Sequence, residues 1–291
     1  MKLKEQHKVP QLEQSIRLQE YGIGIFTTNP TRSGFKKAIK KGLVLVNGKT
    51  ATTALFINGG ELIELFQEVS NKKTFNFPLE VIFEDEYLAV IFKPAGVLVS
   101  GNSFATIANA LEQNLKKSTL EDAVIPRPVH RLDYPTSGLL LISKTNTATI
   151  ALTKLFEEKQ IEKTYHAIAI GKMKSSGEIT IPVDEKESRS LFSVLQSIPS
   201  KKYTFLNLVE LHPKTGRRHQ LRKHLHAIDN PILGDKDYYI EELLSYGNGL
   251  YLHASKLEFT HPFTQEKVSL TCLPPKKFSR IFPQIKTHIK Q

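Results

Sequence analysis

The sequence predicts an α+β fold: a mixed, mostly antiparallel central sheet with peripheral helices, preceded by a small N-terminal α/β module. Strand signals dominate after residue 75. Apolar or alternating runs recur at 81–92, 139–142, 164–170, 192–195, 202–209, 252–259 and 267–272, each of strand length. Helical spacing is confined to a few segments and does not follow every strand, which disfavours a parallel βαβ sheet. Residues 1–75 carry helix, hairpin and strand signals of their own and a separate charge balance. Two domains are therefore expected, 1–75 and 76–291, and 291 residues suit one large and one small core.

In the first module, Pro10 suits the opening turn of a helix in which Leu12 and Ile16 lie four apart and Gly22 ends the run. A second helix is expected with Ser33 as its cap, Phe35, Ala38 and Ile39 on one face, and Gly42 at its end. Leu43 to Val46 reads as a strand, and Asn47-Gly48 is the strongest short hairpin signal. A further strand follows the Gly59-Gly60 turn.

In the second domain, residues 81–92 read as two strands around an acidic turn, and Lys93-Pro94-Ala95-Gly96 bends the chain. A helix is expected over 107–115. Asn146 is expected to cap another, with Ala148, Ala151, Leu152, Leu155 and Phe156 as a core stripe. Residues 164–170 form a two-faced strand that sets Tyr165 opposite His166. From His219 a helix buries Leu221, Leu225 and Ile228, with His219, Arg222 and His226 grouped elsewhere. Residues 240–249 look like a surface loop.

The net charge is +11, with a pI near 9.5, which favours an anionic partner, nucleic acid first and an anionic membrane surface second. Cys272 is the only cysteine, so an intramolecular disulfide is impossible and a cysteine metal site is disfavoured. The longest apolar run, Tyr87 to Phe92, is far short of the ~20 residues that span a bilayer. The polar start has no hydrophobic signal region, and a cytoplasmic protein is expected.

Two basic segments stand out. Arg32, Lys36, Lys37, Lys40, Lys41 and Lys49 follow one another with no acidic residue between Arg32 and Lys49. A solvated helix normally interleaves acids at four-residue spacing, so phosphate contact is the better reading. Helix, basic helix, then Gly42-Leu43-Val44-Leu45-Val46-Asn47-Gly48 resembles the S-four-like RNA-binding domain. That resemblance implies RNA contact through Arg32, Lys36, Lys37 and Lys40. The second segment, Lys214 to His226, has five Lys or Arg, three His and no acid. The neighbouring cations and the missing acidic ligands argue against a divalent metal. Anion binding, to phosphate or to a protein carboxylate, suits Arg217, His219, Gln220 and Arg222.

The remaining motif is Pro128 to Gly138, a turn with one carboxylate, Asp133, pinned by two prolines and followed by a four-residue apolar strand. His130-Arg131-Leu132-Asp133 with Thr136-Ser137-Gly138, then Lys163-Thr164-Tyr165-His166-Ala167, then Gly216 to Arg222, occur in the order seen in one family. Asn230 to Asp235, Leu252-His253-Ala254 and His261-Pro262 extend the match. Together these resemble the RluA-type family of RNA pseudouridine synthases, from about Val81 to Leu273.

The resemblance implies that Asp133 is the catalytic aspartate and Arg222 the arginine that pairs with it. It further implies that Tyr165 packs on the target base and that Arg131 fills the space left by a flipped uridine. Since isomerisation loses no group and oxidises nothing, no cofactor is expected. The expected partner is structured RNA, ribosomal RNA being favoured over transfer RNA by the additional N-terminal domain, and the protein acting as a monomer. Tyr134-Pro135 and Arg218 depart from the residues common at those positions in the family. The rival reading, a non-catalytic RNA-binding protein of ribosome assembly, uses the basic module equally well. It has no use for Asp133, Arg222 and Tyr165 together.

Overall fold

The structure is a computed structural model that describes residues 1–67, 75–243 and 247–286. The chain forms two compact units, Met1–Lys73 and Thr74–Gln291.

The first unit contains, in order, Lys2–Lys8 (β1), Ile16–Arg17 (β2), Leu18–Tyr21 (α1), Arg32–Lys40 (α2), Val44–Val46 (β3), Lys49–Thr50 (β4), Phe56–Ile57 (β5) and Leu62–Gln67 (β6). Four strands make a sheet in the order β1-β6-β3-β4, and β2 pairs with β5. The β3–β4 hairpin turns on Asn47 and Gly48, both at positive φ (49° and 74°), as an Asn-Gly turn requires. Phe35, Ala38 and Ile39 of α2 are buried against Val44, Ile63 and Leu65.

Two expectations need correction here. The helix expected from Pro10 is absent up to Leu18. The Val9 amide donates to the Glu61 carbonyl and the Gly60 amide to the Val9 carbonyl, Ile16 pairs with Ile57, and the Leu18 amide donates to the Leu55 carbonyl. These lateral bonds consume the backbone groups that a helix would use. The α2 cap is Thr31, not Ser33, since the Thr31 hydroxyl accepts from the Gly34 amide at 3.1 Å. Strand β1 was not expected either. It is a sheet edge built from Lys, Glu, Gln and His with one exposed Leu3, whose charge guards its open side but gives little apolar pattern.

The second unit begins with Glu80–Glu84 (β7), Leu88–Lys93 (β8), Ile107–Asn114 (α3), Ala123–Pro128 (β9), Ser137–Thr145 (β10), Asn146–Glu157 (α4) and Glu162–Ile170 (β11). It continues with Ser176–Ile179 (β12), Ser190–Ser200 (β13), Thr204–Pro213 (β14), Gln220–Ala227 (α5), Leu252–Thr260 (β15), Lys267–Thr271 (β16) and Lys276–Ile281 (α6). The ten strands form one sheet ordered β12-β13-β14-β11-β15-β10-β8-β7, with β16 on β15 and β9 on β10. Every pairing is antiparallel except β10 with β15. The expected mixed, mostly antiparallel sheet with peripheral helices is therefore what forms. The cap of α4 is Thr145, one residue before Asn146. No helix among the described residues is long and apolar enough to cross a membrane. Part of the expected 240–249 loop lies outside the described residues, and Glu241–Leu243 within it is a short 3-10 turn.

Strand β10 is central and all nine of its residues are buried, and its middle, Leu139 to Ile142, reads as an unbroken apolar run as burial on both faces requires. Gly138 makes its contact with β15 possible. Its φ is +125°, and a Cβ there would stand 2.2 Å from the Ala254 carbonyl oxygen. Beside it, the Ser137 hydroxyl meets Nδ1 of His253 at 2.9 Å. Thus Thr136-Ser137-Gly138 is the sequence requirement of a close parallel crossing directly after the Asp133 turn.

Gly138→Ala combines that clash with an unfavourable backbone angle and is expected to cost roughly 2–5 kcal/mol, read as a lowered thermal midpoint. A midpoint equal to the parent would show that β10 and β15 do not depend on the close approach. A second expectation concerns pH. Burial pushes the imidazoles of His253 and His130 down to about 3. The unfolded chain takes up these protons near pH 6.5 and the folded chain does not, so stability is full above that pH and falls as pH drops towards 3. The thermal midpoint is expected to decline steadily from pH 6.5 to 4.5; a flat profile would rule out two neutral buried imidazoles.

Candidate active site

The loop between β9 and β10 alternates its side chains. His130 is tucked in, its Nε2 accepting from the Leu141 amide at 3.0 Å and its ring 5.0 Å from that of Phe156. Arg131 is exposed, Leu132 enters the core beside Leu140 and Ile142, and Asp133 turns into a cavity. The Thr136 amide donates to the Asp133 carbonyl at 3.0 Å, closing the turn. Lys93, fully buried at the end of β8, donates to the carbonyls of Pro94 (2.9 Å), Tyr134 (3.3 Å) and Thr136 (2.7 Å). One ammonium thus holds the loop on both sides of Pro135. Burial pushes that ammonium down to about 8, against the pull of Asp133.

The cavity has a volume of about 1130 Å³ and lies within the second unit. Asp133, Arg131, Tyr165, Arg217, His219, Gln220 and Arg222 all line it, so the residues singled out in that unit come together. Asp133 faces two basic groups: Oδ2 is 3.8 Å from an Arg222 amino nitrogen and Oδ1 is 3.7 Å from Nε2 of His219. These are ion-pair distances, too long for direct hydrogen bonds. Burial, with the charges of Arg222 and Arg218, lowers the His219 pKa against the pull of Asp133. The fixed cation at Asp133 is therefore Arg222.

Arg222 lies on α5 and is almost completely buried. Its Nε and one amino nitrogen clasp Asp235 at 2.7 and 2.6 Å, and the same amino nitrogen reaches Asp237 at 2.7 Å. The Tyr238 ring covers it with a centroid 4.9 Å away. Burial opposes the charge, but Asp235 and Asp237 more than offset it and raise the pKa. Asp235 also accepts from the amides of Asp237 and Tyr238 at 3.0 and 3.1 Å, which fixes the turn that supplies both partners.

Tyr165 enters from β11 and packs between two core clusters. Burial first, and Asp133 second, raise its pKa, so the phenol stays neutral. His166, on the opposite face, bonds Ser255 at 2.6 Å.

Gln220 requires a correction. Its Oε1 accepts from Thr215 and from the Arg217 amide, and its Nε2 donates to the Arg189 carbonyl and to Ser190. Its amide groups are used in shaping the 215–220 loop and are not presented to RNA. His219, at φ +56°, starts α5 and bonds the Tyr238 hydroxyl at 2.9 Å. His224 is buried between Ser188 and Ser190, so the three histidines of this segment do not converge. Phe156, expected in a core stripe, is half-buried and lines the cavity. In the first unit, Lys36, Lys37 and Lys40 are exposed on α2, and Arg32 is paired with Glu20.

Sequence reasoning assigned no role to Lys93, Asp235, Asp237 or Tyr238. Lys93 had a signal: a charge closing an apolar strand immediately before a proline needs buried acceptors. Asp235 lay inside the Asn230 to Asp235 motif, but its partner Arg222 is thirteen residues away on another element.

Residues 87–227 match a family model described as RNA pseudouridylate synthase. An uncharacterized RNA pseudouridine synthase of Aquifex aeolicus is 33% identical over 288 residues, covering 89% of this chain and 90% of the relative. Ribosomal large subunit pseudouridine synthase D of Xanthomonas campestris is 30% identical, covering 88% and 85%. tRNA pseudouridine synthase C of Pasteurella multocida is 35% identical, covering 66% of this chain and 90% of its own. Among solved structures, human RNA pseudouridylate synthase domain containing 4 superposes with a TM-score of 0.58 at 26% identity, covering 71% of this chain and 93% of its own. On these matches the chain is an enzyme that belongs to the RluA-type family of RNA pseudouridine synthases.

Proposed function

We propose that this protein converts uridine to pseudouridine in structured ribosomal RNA, with Asp133 as the catalytic carboxylate. The observation that carries the reading is the meeting of Asp133, Arg222 and Tyr165 in one basic cavity. The isomerisation breaks the bond from ribose C1′ to uracil N1, turns the base and joins C1′ to C5. The proton lost from C5 is balanced by the one gained at N1, so the reaction requires no co-reactant. An ionised carboxylate serves either as nucleophile towards the ribose or as base, and both roles need fixed positive charge beside it. Arg222 supplies it in a water-poor setting.

Tyr165 offers a neutral ring against which a flipped base packs. Arg131, exposed at the cavity, takes the place that the base leaves in the RNA. Extruding a nucleotide costs a few kcal/mol and least in a loop, which favours a structured loop as target. In the first unit, the exposed Lys36, Lys37 and Lys40 add phosphate contacts. Similarity to the ribosomal relative covers more of the chain than the larger unit alone can supply, whereas the transfer-RNA relative covers only 66%. That difference supports ribosomal RNA, and a ribosomal substrate implies a cytoplasmic enzyme. One chain holds the whole cavity, so a monomer suffices.

A pseudouridine-specific chemical map of cellular RNA tests this directly. Cells carrying Asp133→Ala are expected to lose one or a few ribosomal sites, while the purified variant binds RNA within about twofold of the parent because affinity rests on phosphates. An unchanged map would overturn the assignment of Asp133. Asp235→Asn is expected to cost on the order of 3–5 kcal/mol of stability by stripping a buried cation of its partner. It should also slow single turnover by about 100-fold as Arg222 shifts away from Asp133. Parent-like single turnover in a folded Asp235→Asn protein would show that Asp235 does not position Arg222.

A further inference from the structure

Three arginines of the cavity wall have protein partners. Arg222 is held by carboxylates, Arg189 pairs with Glu178, and Nε of Arg217 donates to the Glu187 carbonyl. Lys163 differs. It projects from β11, is half-buried and lines the cavity, yet among the described residues no carboxylate, carbonyl or hydroxyl accepts from its ammonium. The ammonium stands over the Phe156 ring, 5.6 Å from the nitrogen to the centroid. Burial lowers its pKa, as a cation without an anion requires. Arg131, Lys159, Lys214 and Arg218 also lack acidic partners, but water reaches them more freely. A half-buried ammonium without an anion costs folding free energy, and a bound anion would recover it.

Position identifies the anion. Lys163 stands two residues before Tyr165 on the same strand, so both side chains leave the same face about 7 Å apart. Adjacent phosphates along an RNA strand are separated by a similar step. A uridine packed on Tyr165 has its own flanking phosphates within about one such step, so one of them is within reach of the Lys163 ammonium on the same wall.

We infer that Lys163, backed by the Phe156 ring, is a binding site for a phosphodiester group flanking the target uridine. This rests on the reading of Tyr165 as the platform for the flipped base. The site adds a charge contact inside the cavity, separate from the exposed lysines that hold RNA non-specifically.

The test is equilibrium binding of a synthetic RNA stem-loop with one loop uridine, over a range of potassium chloride concentrations, for the parent, Lys163→Gln and Lys163→Arg. The same stem-loop is also made with a neutral methylphosphonate replacing either phosphate that flanks the uridine. Lys163→Gln is expected to weaken binding about tenfold at low salt and to lower the slope of log affinity against log salt by about one, with Lys163→Arg close to the parent. One methylphosphonate should weaken the parent and leave Lys163→Gln unaffected. The thermal midpoint of free Lys163→Gln should equal or exceed that of the parent. An unchanged slope, or equal sensitivity of parent and Lys163→Gln to both methylphosphonates, would overturn the site. So would a lowered midpoint accompanied by an unchanged slope, which marks a packing role. These readouts need no turnover, so they stay distinguishable from the fate of Asp133, which is judged by product alone.

Discussion

The site depends on one guanidinium that serves three carboxylates. Asp235 takes two bonds from Arg222 and Asp237 a third, while Asp133 stands 3.8 Å away without a direct bond. This asymmetry matters for the chemistry proposed. A carboxylate locked into a short bidentate pair spends its lone pairs on the protein. Held at a distance, Asp133 feels the positive charge and keeps its oxygens free. Asp235 fixes the direction of the fork, so the arginine cannot close the gap without breaking two short bonds in a buried setting.

The other half of the geometry comes from the sheet. Asp133 sits on a loop whose ends are fixed independently, by Lys93 at three carbonyls and by the Gly138 crossing of β10 with β15. Neither touches the carboxylate. Together they leave its backbone little freedom, which is the condition for a side chain to hold its aim without a hydrogen bond of its own. Arg222 arrives from α5 on the far side, where Gln220 closes the preceding loop with four bonds.

The legible parts of the sequence were those with a local cause. Strand β10 announced itself because it is buried along its whole length, and the Asn47-Gly48 hairpin because its backbone angles need those residues. The failures share one reason. Residues 9–17 carry a helical spacing, but their hydrogen bonds go sideways to 55–61, which no local pattern encodes. Gln220 lay in a basic segment and was read as an RNA contact, whereas two of its four partners, Arg189 and Ser190, lie about thirty residues earlier at the start of β13. Family resemblance brought Asp133, Tyr165 and Arg222 forward, and spacing alone would not have joined residues on three separate elements. Asp235 stayed silent because its purpose is the orientation of another side chain, Arg222, on a separate element.

Three cations in this unit show how a protein separates structure from binding. Lys93 is fully buried and satisfied by three carbonyls, so it carries charge into the core without facing an empty space. Arg222 is equally buried and satisfied by carboxylates, with one edge left towards Asp133. Lys163 is less buried, but its ammonium has only an aromatic face. A protein selected for stability alone would replace such a lysine with an apolar residue, as Phe156 beside it already shows the wall tolerates. Keeping the charge is therefore costly in the free enzyme, and the cost is recovered when a phosphate enters. That is the pattern expected of a group whose partner arrives with the substrate.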